Sequence, residues 1–314
     1  MTTTFPIAPG SLDKATALAL FGDPALIGEF IVKAMGDDMF PLTNAILRGR
    51  ASFSNGVAAI IPTAAPIAAE GVQEVAPGSE YPEVALFTRH AEALEALKRG
   101  YKAKITDEAL TRDPLGITQA WNDALTFLGN GVKIDAEGLA AATIADATIP
   151  TFTGQAWSVG GEDGLVAMAT DVINAGSSML QLRKGYTPQI IVVTMAQWAV
   201  IGPMLARAAG MTFGGLTTSG IINPWDPSNY HVSADLPASW KPTIMDPNFF
   251  GGVAHETIDS EGEYAQVGAP GSGFEVTTFR DPTRRDTRWI QIRKTDVPYV
   301  WNEDAALQIE GTGL

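Results

Sequence analysis

The longest helical pattern in the chain begins where Asp113 precedes Pro114. The aspartate can cap a helix, and proline loses nothing at the first helical position because that N–H has no intrahelical partner. Apolar residues then recur in steps of three and four: Trp121, Leu125, Leu128, Val132, Ala136, Leu139 and Ala142. This pattern predicts one helix from Pro114 to about Ala145. The expected places for a kink or break are its glycines, Gly129, Gly131 and Gly138, since each costs about 1 kcal/mol in a helix interior.

A second helical pattern is followed by a short strand and a third helix. Apolar positions line one side of Glu162–Lys184, and Gly185 is a typical helix stop. The β-branched run Gln189–Val193 predicts a buried strand. A helix is expected to start at Met195 and to be kinked or ended by Pro203.

Strand patterns return near the end of the sequence. Residues alternate along Thr287–Arg293, with Ile290 and Ile292 on one face and Trp289, Gln291 and Arg293 on the other. The segments Pro298–Trp301 and Ala305–Ile309 extend the pattern, which predicts a long strand near the C-terminus.

The first third of the chain has weaker patterns. Proline and glycine interrupt residues 1–50 so often that this part is expected to be an arm that lies on neighbouring molecules. The run Val57–Ile61 predicts a strand that enters a turn-rich hairpin. Val84–Thr88 is the candidate returning strand, although Ala91–Lys98 has the composition of a helix.

Composition supports a mixed fold. The 314 residues include 32 Gly and 20 Pro, with 46% hydrophobic and 18% charged residues, which favours an α+β chain with two core regions or one core and extended arms. The absence of cysteine excludes disulfides, thiolate metal sites and a cysteine nucleophile. No stretch has the length of a membrane span and no signal peptide is present, so we expect a soluble protein made in the cytoplasm.

The net charge of −14 argues against a protein that derives its affinity from phosphate contacts. Weak, non-specific contact with DNA is compatible with this charge.

The search for catalytic chemistry finds no convincing site. The histidines His90, His231 and His255 lack metal-binding spacing, and no serine occupies a Gly-x-Ser-x-Gly motif. Residues 268–273 resemble a phosphate loop but lack its lysine, and the acidic residues Asp259, Glu261 and Glu263 fit a solvated turn better than a calcium loop. We therefore expect no catalytic residue, no metal and no cofactor.

The tryptophans divide into two groups. The expected core positions, which lie in or beside apolar patterns, are Trp121, Trp157, Trp198 and Trp289. The others lie beside proline-rich or polar corners and are candidates for contacts between subunits, where tryptophan is enriched: Trp225, Trp240 and Trp301.

The order of these elements resembles the Johnson fold of tailed-phage major capsid proteins, which encapsulins share. Ile105–Gly131 resembles the spine helix of that family, Thr187–Trp198 its axial-domain strand and helix start, and Arg288–Trp301 its late peripheral strand. The resemblance implies an α+β phage capsid fold with an N-arm, an E-loop, a peripheral domain containing a long spine helix, and an axial domain.

By this resemblance the chain divides into five parts. Residues 1–56 form the N-terminal arm and 57–104 the E-loop hairpin and its base. Residues 105–150 form the peripheral domain with the spine helix, 151–273 the axial domain, and 274–314 the return to the peripheral domain.

The implied function is structural and not enzymatic. The chain is expected to self-assemble as hexamers and pentamers into an icosahedral head that encloses double-stranded DNA, with portal and scaffolding proteins as partners, a decoration protein as an optional partner, and no membrane. Assembly is expected in the host cytoplasm and the product in the virion. The candidate inter-subunit residues are Trp225, Trp240, Trp301, Tyr81, Arg89, Lys98 and Lys102.

Two properties of some relatives are not expected here. We expect a separate scaffold or none, without maturation cleavage at the N-terminus. Lysine-to-asparagine crosslinks are also not expected, although Lys98, Lys102, Lys104 and Asn302 are present. An encapsulin-type nanocompartment is the alternative function, and a secreted carbohydrate-active enzyme is a more distant one.

Overall fold

The computed structural model describes residues 27, 40–53, 56–60, 92–108, 116–158, 162–208, 222–256, 264–266, 274–284 and 286–314. Within these ranges the strands form three sheets of six, five and two strands. The predicted helix start at Asp113, the candidate strand Val84–Thr88 and the phosphate-loop-like residues 268–273 lie outside the described residues.

The predicted long helix is confirmed as helix α2, Gly116–Asp146, which is continuous over 31 residues. Its buried stripe advances in steps of four residues: Leu128, Val132, Ala136, Ala140 and Ile144. The expected break at the glycines does not occur. Gly131 lies against the ring of Tyr101, which stands 3.1 Å from the position of an added Cβ, whereas an added Cβ at Gly138 has nothing within 4 Å.

The six-stranded sheet is built around one long strand. Its members are β1 Gly49–Phe53, β4 Leu97–Thr106, β9 Gly251–Glu256, β10 Ala265–Gln266, β11 Phe274–Arg280 and β12 Thr287–Val300. Strand β12 pairs antiparallel with β4, β11 and β9, and β1 runs parallel to β9. Arg293 faces Gly100 on one side and Glu275 on the other, so β4 and β11 flank β12.

The base of the predicted hairpin is confirmed as a two-stranded sheet. Strand β2, Val57–Ile60, pairs antiparallel with β3, Glu92–Glu95. The helical interpretation of Ala91–Lys98 is wrong, because this segment forms β3 and the start of β4. Ladder pairing with β2 and β12 overrides the helical composition of the segment.

The five-stranded sheet has the order β5–β13–β8–β6–β7. Its strands are β5 Thr151–Thr153, β6 Ile190–Thr194, β7 Tyr230–Ser233, β8 Thr243–Met245 and β13 Ala306–Glu310. Helix α3, Glu162–Gln181, and helix α4, Met195–Ala208, confirm the two predicted helices that flank β6. Helix α4 continues through Pro203, so the proline does not end it.

The last strand departs from the sequence pattern. Ala305–Ile309 was expected to extend the long strand, but the chain turns after β12 and enters the other sheet as β13, between β5 and β8. The turn is fixed by the backbone N–H groups of Trp301 and Asn302, which both donate to the carbonyl oxygen of Phe250.

Two short helices complete the main core. Helix α1, Pro41–Ile46, buries Leu42 and Ile46, and helix α5, Pro247–Phe250, buries Phe250. These side chains join the cluster that contains Ile144 of α2 and the inner faces of β6 and β8. A smaller cluster of Ala58, Ala254 and Tyr299 lies under the β2–β3 hairpin.

Candidate subunit interface

A buried carboxylate attaches helix α1 to helix α2. Glu137 is only 2% exposed and accepts hydrogen bonds from the backbone N–H of Leu42 at 2.7 Å, the N–H of Thr43 at 3.3 Å and the hydroxyl of Thr43 at 2.7 Å. These N–H groups belong to the first turn of α1, which has no side-chain cap of its own. Burial raises the pKa of Glu137, and the hydrogen bonds from Thr43 and Leu42 oppose that shift.

One face of the six-stranded sheet packs on α2. Tyr101 of β4 contacts Gly131, and Arg99 forms an ion pair of 2.9 Å with Asp135. Because side chains alternate along a strand, residues 99 and 101 point towards the helix, and residues 98, 100, 102 and 104 point to the opposite face.

The outer side of α2 carries an apolar surface. Phe127 is 73% exposed and Ile134 is 69% exposed, and both line a cavity of about 420 Å³ together with Thr126, Asn130 and Gly131. Two large apolar side chains on the same side of one helix are a feature of protein contact sites. We call this surface the helix face.

The face of the six-stranded sheet opposite to helix α2 carries a row of exposed lysines. Lys98, Lys102 and Lys104 of β4 are exposed and lie opposite Thr295, Gln291 and Trp289 of β12. The ammonium group of Lys102 lies 4.7 Å from the centre of the Trp289 ring, a cation–π distance. We call the three lysines and the neighbouring β12 positions the lysine face.

Charged side chains of β12 are buried on both faces of the sheet, Arg293 on the lysine side and Lys294 and Asp296 on the helix side. Arg293 pairs with Glu275 of β11, and Lys294 pairs with Asp296. The Arg293 guanidinium also lies 3.4 Å from the centre of the Tyr264 ring. Removing one partner of such a pair leaves an unpaired buried charge, so the Arg293–Glu275 pair stabilises the pairing of β11 with β12.

A further charged cluster lies at the junction of β1, β9 and β12. Burial, with a smaller contribution from nearby Arg50, lowers the pKa of His255. Burial also lowers the pKa of Arg50 and raises that of Tyr299. Arg50 donates to the carbonyl oxygens of Leu47 and Gly49 and to the side chain of Asn44, so it links the end of α1 to the start of β1.

The predicted contact residues have different environments. Lys98 and Lys102 are exposed, and Trp225 and Trp301 are partly buried. Trp301 stacks edge-on against Tyr299, with 5.3 Å between ring centres. Tyr81 and Arg89 lie outside the described residues.

Trp240 departs from its prediction as a surface contact. It is 4% exposed and belongs to the main core, where its ring N–H points to the carbonyl oxygen of Val192. Trp240 does lie at a polar corner of the chain. Its indole ring packs beside β6, however, so little of the ring can contact another subunit.

Among the expected core tryptophans, Trp157 is buried, and Trp198 and Trp289 are partly buried. The side chain of Trp121 is not among those that the structure describes. The ring N–H of Trp157 donates to Asp171 of α3 at 2.8 Å.

Sequence reasoning missed Phe127, Ile134 and Glu137. Phe127 and Ile134 are seven residues apart, so both lie on one side of a helix. Their spacing is the same as that of the buried residues of α2, so the sequence pattern alone does not separate the exposed side from the buried one. The residues around Glu137 do not indicate its capping role, because its hydrogen-bond partners lie more than ninety positions away in sequence.

The described part of the chain contains no group of three or more histidine and acidic residues arranged to hold a metal ion. None of its helices combines the length and the apolar character needed to cross a membrane. The histidine His90 and the acidic residues Asp259, Glu261 and Glu263 lie outside the described residues.

Comparison with protein families gives a match over most of the chain. The family model described as phage capsid protein matches residues 91–309. A search of curated proteins gives no match.

Solved structures share the fold at low sequence identity. The asymmetric unit of the bacteriophage PhiM1 mature capsid has a TM-score of 0.51 and 12% identity, with 84% of this chain and 86% of that chain covered. The capsid of a native GTA particle has a TM-score of 0.51 and 11% identity, covering 87% and 90%. A virus-like particle from Pyrococcus furiosus has a TM-score of 0.50 and 13% identity, covering 89% and 97%. The predicted α+β capsid fold is thereby confirmed.

Proposed function

The chain belongs to the phage capsid protein family, and on this premise we propose that it assembles as hexamers and pentamers into an icosahedral head that encloses double-stranded DNA. Family membership makes it a structural component of the virion and not an enzyme. The observation that carries the proposal is the family match over residues 91–309.

The helix face supports assembly on physical grounds. Phe127 and Ile134 expose apolar surface that water contacts in an isolated subunit. Covering such surface by a neighbouring copy releases that water and is favourable in proportion to the area buried. In a closed ring each subunit repeats the same contact, so modest interfaces combine into a stable shell.

The division into arm, E-loop, peripheral domain and axial domain stays part of the proposal, with one modification. Strand β13 pairs with β5 and β8 in the five-stranded sheet. This pairing favours assigning Ala306–Glu310 to the axial domain instead of the peripheral return.

The proposed partners are other copies of the chain, a portal protein, a scaffolding protein and, optionally, a decoration protein, with assembly in the host cytoplasm. Packaged DNA is proposed to touch the shell weakly, because the net charge of −14 disfavours strong phosphate contacts. The inter-subunit roles of Trp225, Trp301, Tyr81, Arg89, Lys98 and Lys102 also remain proposals.

A nanocompartment shell is the second candidate function. The observation in its favour is the fold shared with the virus-like particle from Pyrococcus furiosus. The two candidates differ in their contents, since a phage head holds DNA and a compartment holds protein cargo.

The test is expression of the full chain, alone and with the neighbouring genes of its genome, followed by electron microscopy of the purified product. Closed polyhedral shells that protect DNA from nuclease support the phage head. Closed shells that hold a co-purified protein and no DNA favour the compartment. A protein that remains monomeric with every neighbouring gene product contradicts both.

A further inference from the structure

We infer that the lysine face is a docking site for carboxylate side chains of a second copy of this chain. This inference rests on the proposed function, because it names a surface through which copies meet. It concerns described residues of β4 and β12 that the family match does not assign to any contact.

The lysine face is cationic, and its three lysines are exposed. Within β4, Leu97–Thr106, four side chains are basic and none is acidic. Arg99 turns to the helix side and pairs with Asp135, whereas Lys98, Lys102 and Lys104 project from the other face of the sheet. Among the described carboxylates, none forms an ion pair with these three lysines.

The surface between Lys98 and Lys102 is concave. Gly100 lies between them, and an added Cβ there comes within 2.3 Å of the carbonyl oxygen of Ile292. Because Gly100 carries no side chain, β4 packs closely on β12 there, and this part of the surface holds a cavity of about 410 Å³ lined by residues 98–102, Gln291 and Arg293. The side-chain amide of Gln291 adds hydrogen-bonding groups beside the two ammonium groups.

The charge of the cavity comes from the lysines. Arg293 is already neutralised by Glu275, so its guanidinium adds little attraction for a further anion. No described carboxylate pairs with Lys98 or Lys102, and each ammonium group can donate hydrogen bonds to a carboxylate.

The rest of the molecule indicates which anion fits. The chain carries 35 acidic and 21 basic side chains, so another copy offers more carboxylates than basic groups. A cationic hollow on an acidic protein is complementary to those carboxylates, and complementarity of this kind sets the orientation of partners. A single carboxylate side chain can approach this cavity, whereas the net charge of −14 disfavours the extended phosphate backbone of DNA.

Carbodiimide crosslinking of nuclease-treated full-length protein tests the contact directly. The reagent joins an amine to a carboxylate that touches it, and denaturing gels separate dimers from monomers. We expect a dimer band in which peptides containing Lys98 or Lys102 are joined to peptides containing Asp or Glu. The variant K98R/K102R retains the charge but has no amine at these two positions, so the crosslinked peptides assigned to Lys98 and Lys102 should disappear and the dimer band should weaken.

Charge reversal provides the second measurement. We expect K98E/K102E to lower the yield of assembled particles at least about tenfold, since opposed like charges disfavour association. The matched control is R207E/R284E, which changes two exposed arginines by the same charge. Its particle yield should stay near that of the unmodified chain.

The outcomes separate this inference from the proposed function. Particles without a Lys98 or Lys102 dimer crosslink overturn the inference and leave the proposed function standing. A crosslinked dimer without particles supports the inference and counts against the shell. Crosslinks found only within monomers also overturn the inference. A dimer crosslink that is lost on nuclease treatment does the same. Equal particle yields for K98E/K102E and R207E/R284E overturn it as well.

Discussion

The carboxylate of Glu137 accepts a 2.7 Å hydrogen bond from the hydroxyl of Thr43, across 94 positions of sequence. The same carboxylate receives the backbone N–H groups of Leu42 and Thr43. Helix α1 therefore obtains its N-terminal cap from helix α2, so part of the proposed arm, residues 1–56, is tied to the longest described helix.

Replacing Glu137 by alanine should destabilise the folded chain. The N–H groups of Leu42 and Thr43 lose their buried acceptor, and each unsatisfied group costs about 1–3 kcal/mol, so we expect a loss of about 2–4 kcal/mol in the free energy of unfolding. Urea denaturation measures this loss. The control Glu310→Ala removes an exposed carboxylate and should change stability by less than about 0.5 kcal/mol. Similar values for the two variants contradict the capping role.

His255 should make stability depend on pH. Its pKa is lowered from 6.5, chiefly by burial, so the unfolded chain binds a proton more readily than the folded chain. The stabilising contribution is present above the unfolded pKa and is lost as pH falls through the folded pKa. We expect the advantage of the unmodified chain over His255→Gln in urea denaturation to shrink from about pH 7.5 to about pH 5.5. A constant difference between the two proteins contradicts this assignment.

The glycines of α2 provide a matched pair. An alanine at an exposed helix interior position is about 1 kcal/mol more favourable than glycine, and Gly138 has open space around its Cβ position. We expect Gly138→Ala to raise the thermal midpoint of unfolding. At Gly131 the new methyl group meets the Tyr101 ring at 3.1 Å, so Gly131→Ala should gain less or lose stability. An equal gain at both positions contradicts the tight packing of Tyr101 on the helix.

Periodic apolar patterns predicted the elements whose neighbours are close in sequence. Helix α2, helix α3 and strand β6 each follow from their own residues, because a buried face repeats at the period of the element. The composition of Ala91–Lys98 favours a helix, but the segment forms strands because it pairs with β2 and β12. The placement of β13 in the other sheet depends on Phe250, which lies some fifty residues earlier.

The candidate interface was less predictable. Lys98 and Lys102 were identified as candidates, and the alternation of a strand explains why they share a face. The proline and polar neighbours of Trp240 indicate a turn, but they do not indicate the direction of its ring. The predicted surface position of Trp240 is therefore wrong. Phe127 and Ile134 were not selected, because an exposed apolar stripe on a helix has the same periodicity as a buried one.

Polar substitutions on the helix face should impair assembly without unfolding the subunit. Phe127 and Ile134 are 73% and 69% exposed, so F127S/I134S removes little packing within one chain. We expect an unchanged thermal midpoint and a strong decrease in particle yield by electron microscopy, because the apolar area buried between copies is lost. The control Val166→Ser changes another apolar side chain that is 59% exposed, on helix α3. An unchanged yield for F127S/I134S shows that this face does not contact a neighbour.

Copies of this chain are proposed to form the wall of a closed shell. A cryo-EM reconstruction of particles purified after expression of the full chain with its neighbouring genes tests this proposal. We expect a shell whose fivefold and sixfold positions are occupied by this fold, with the helix face covered by an adjacent copy. Particles whose wall consists of another protein, or a chain that stays monomeric in every preparation, contradict it.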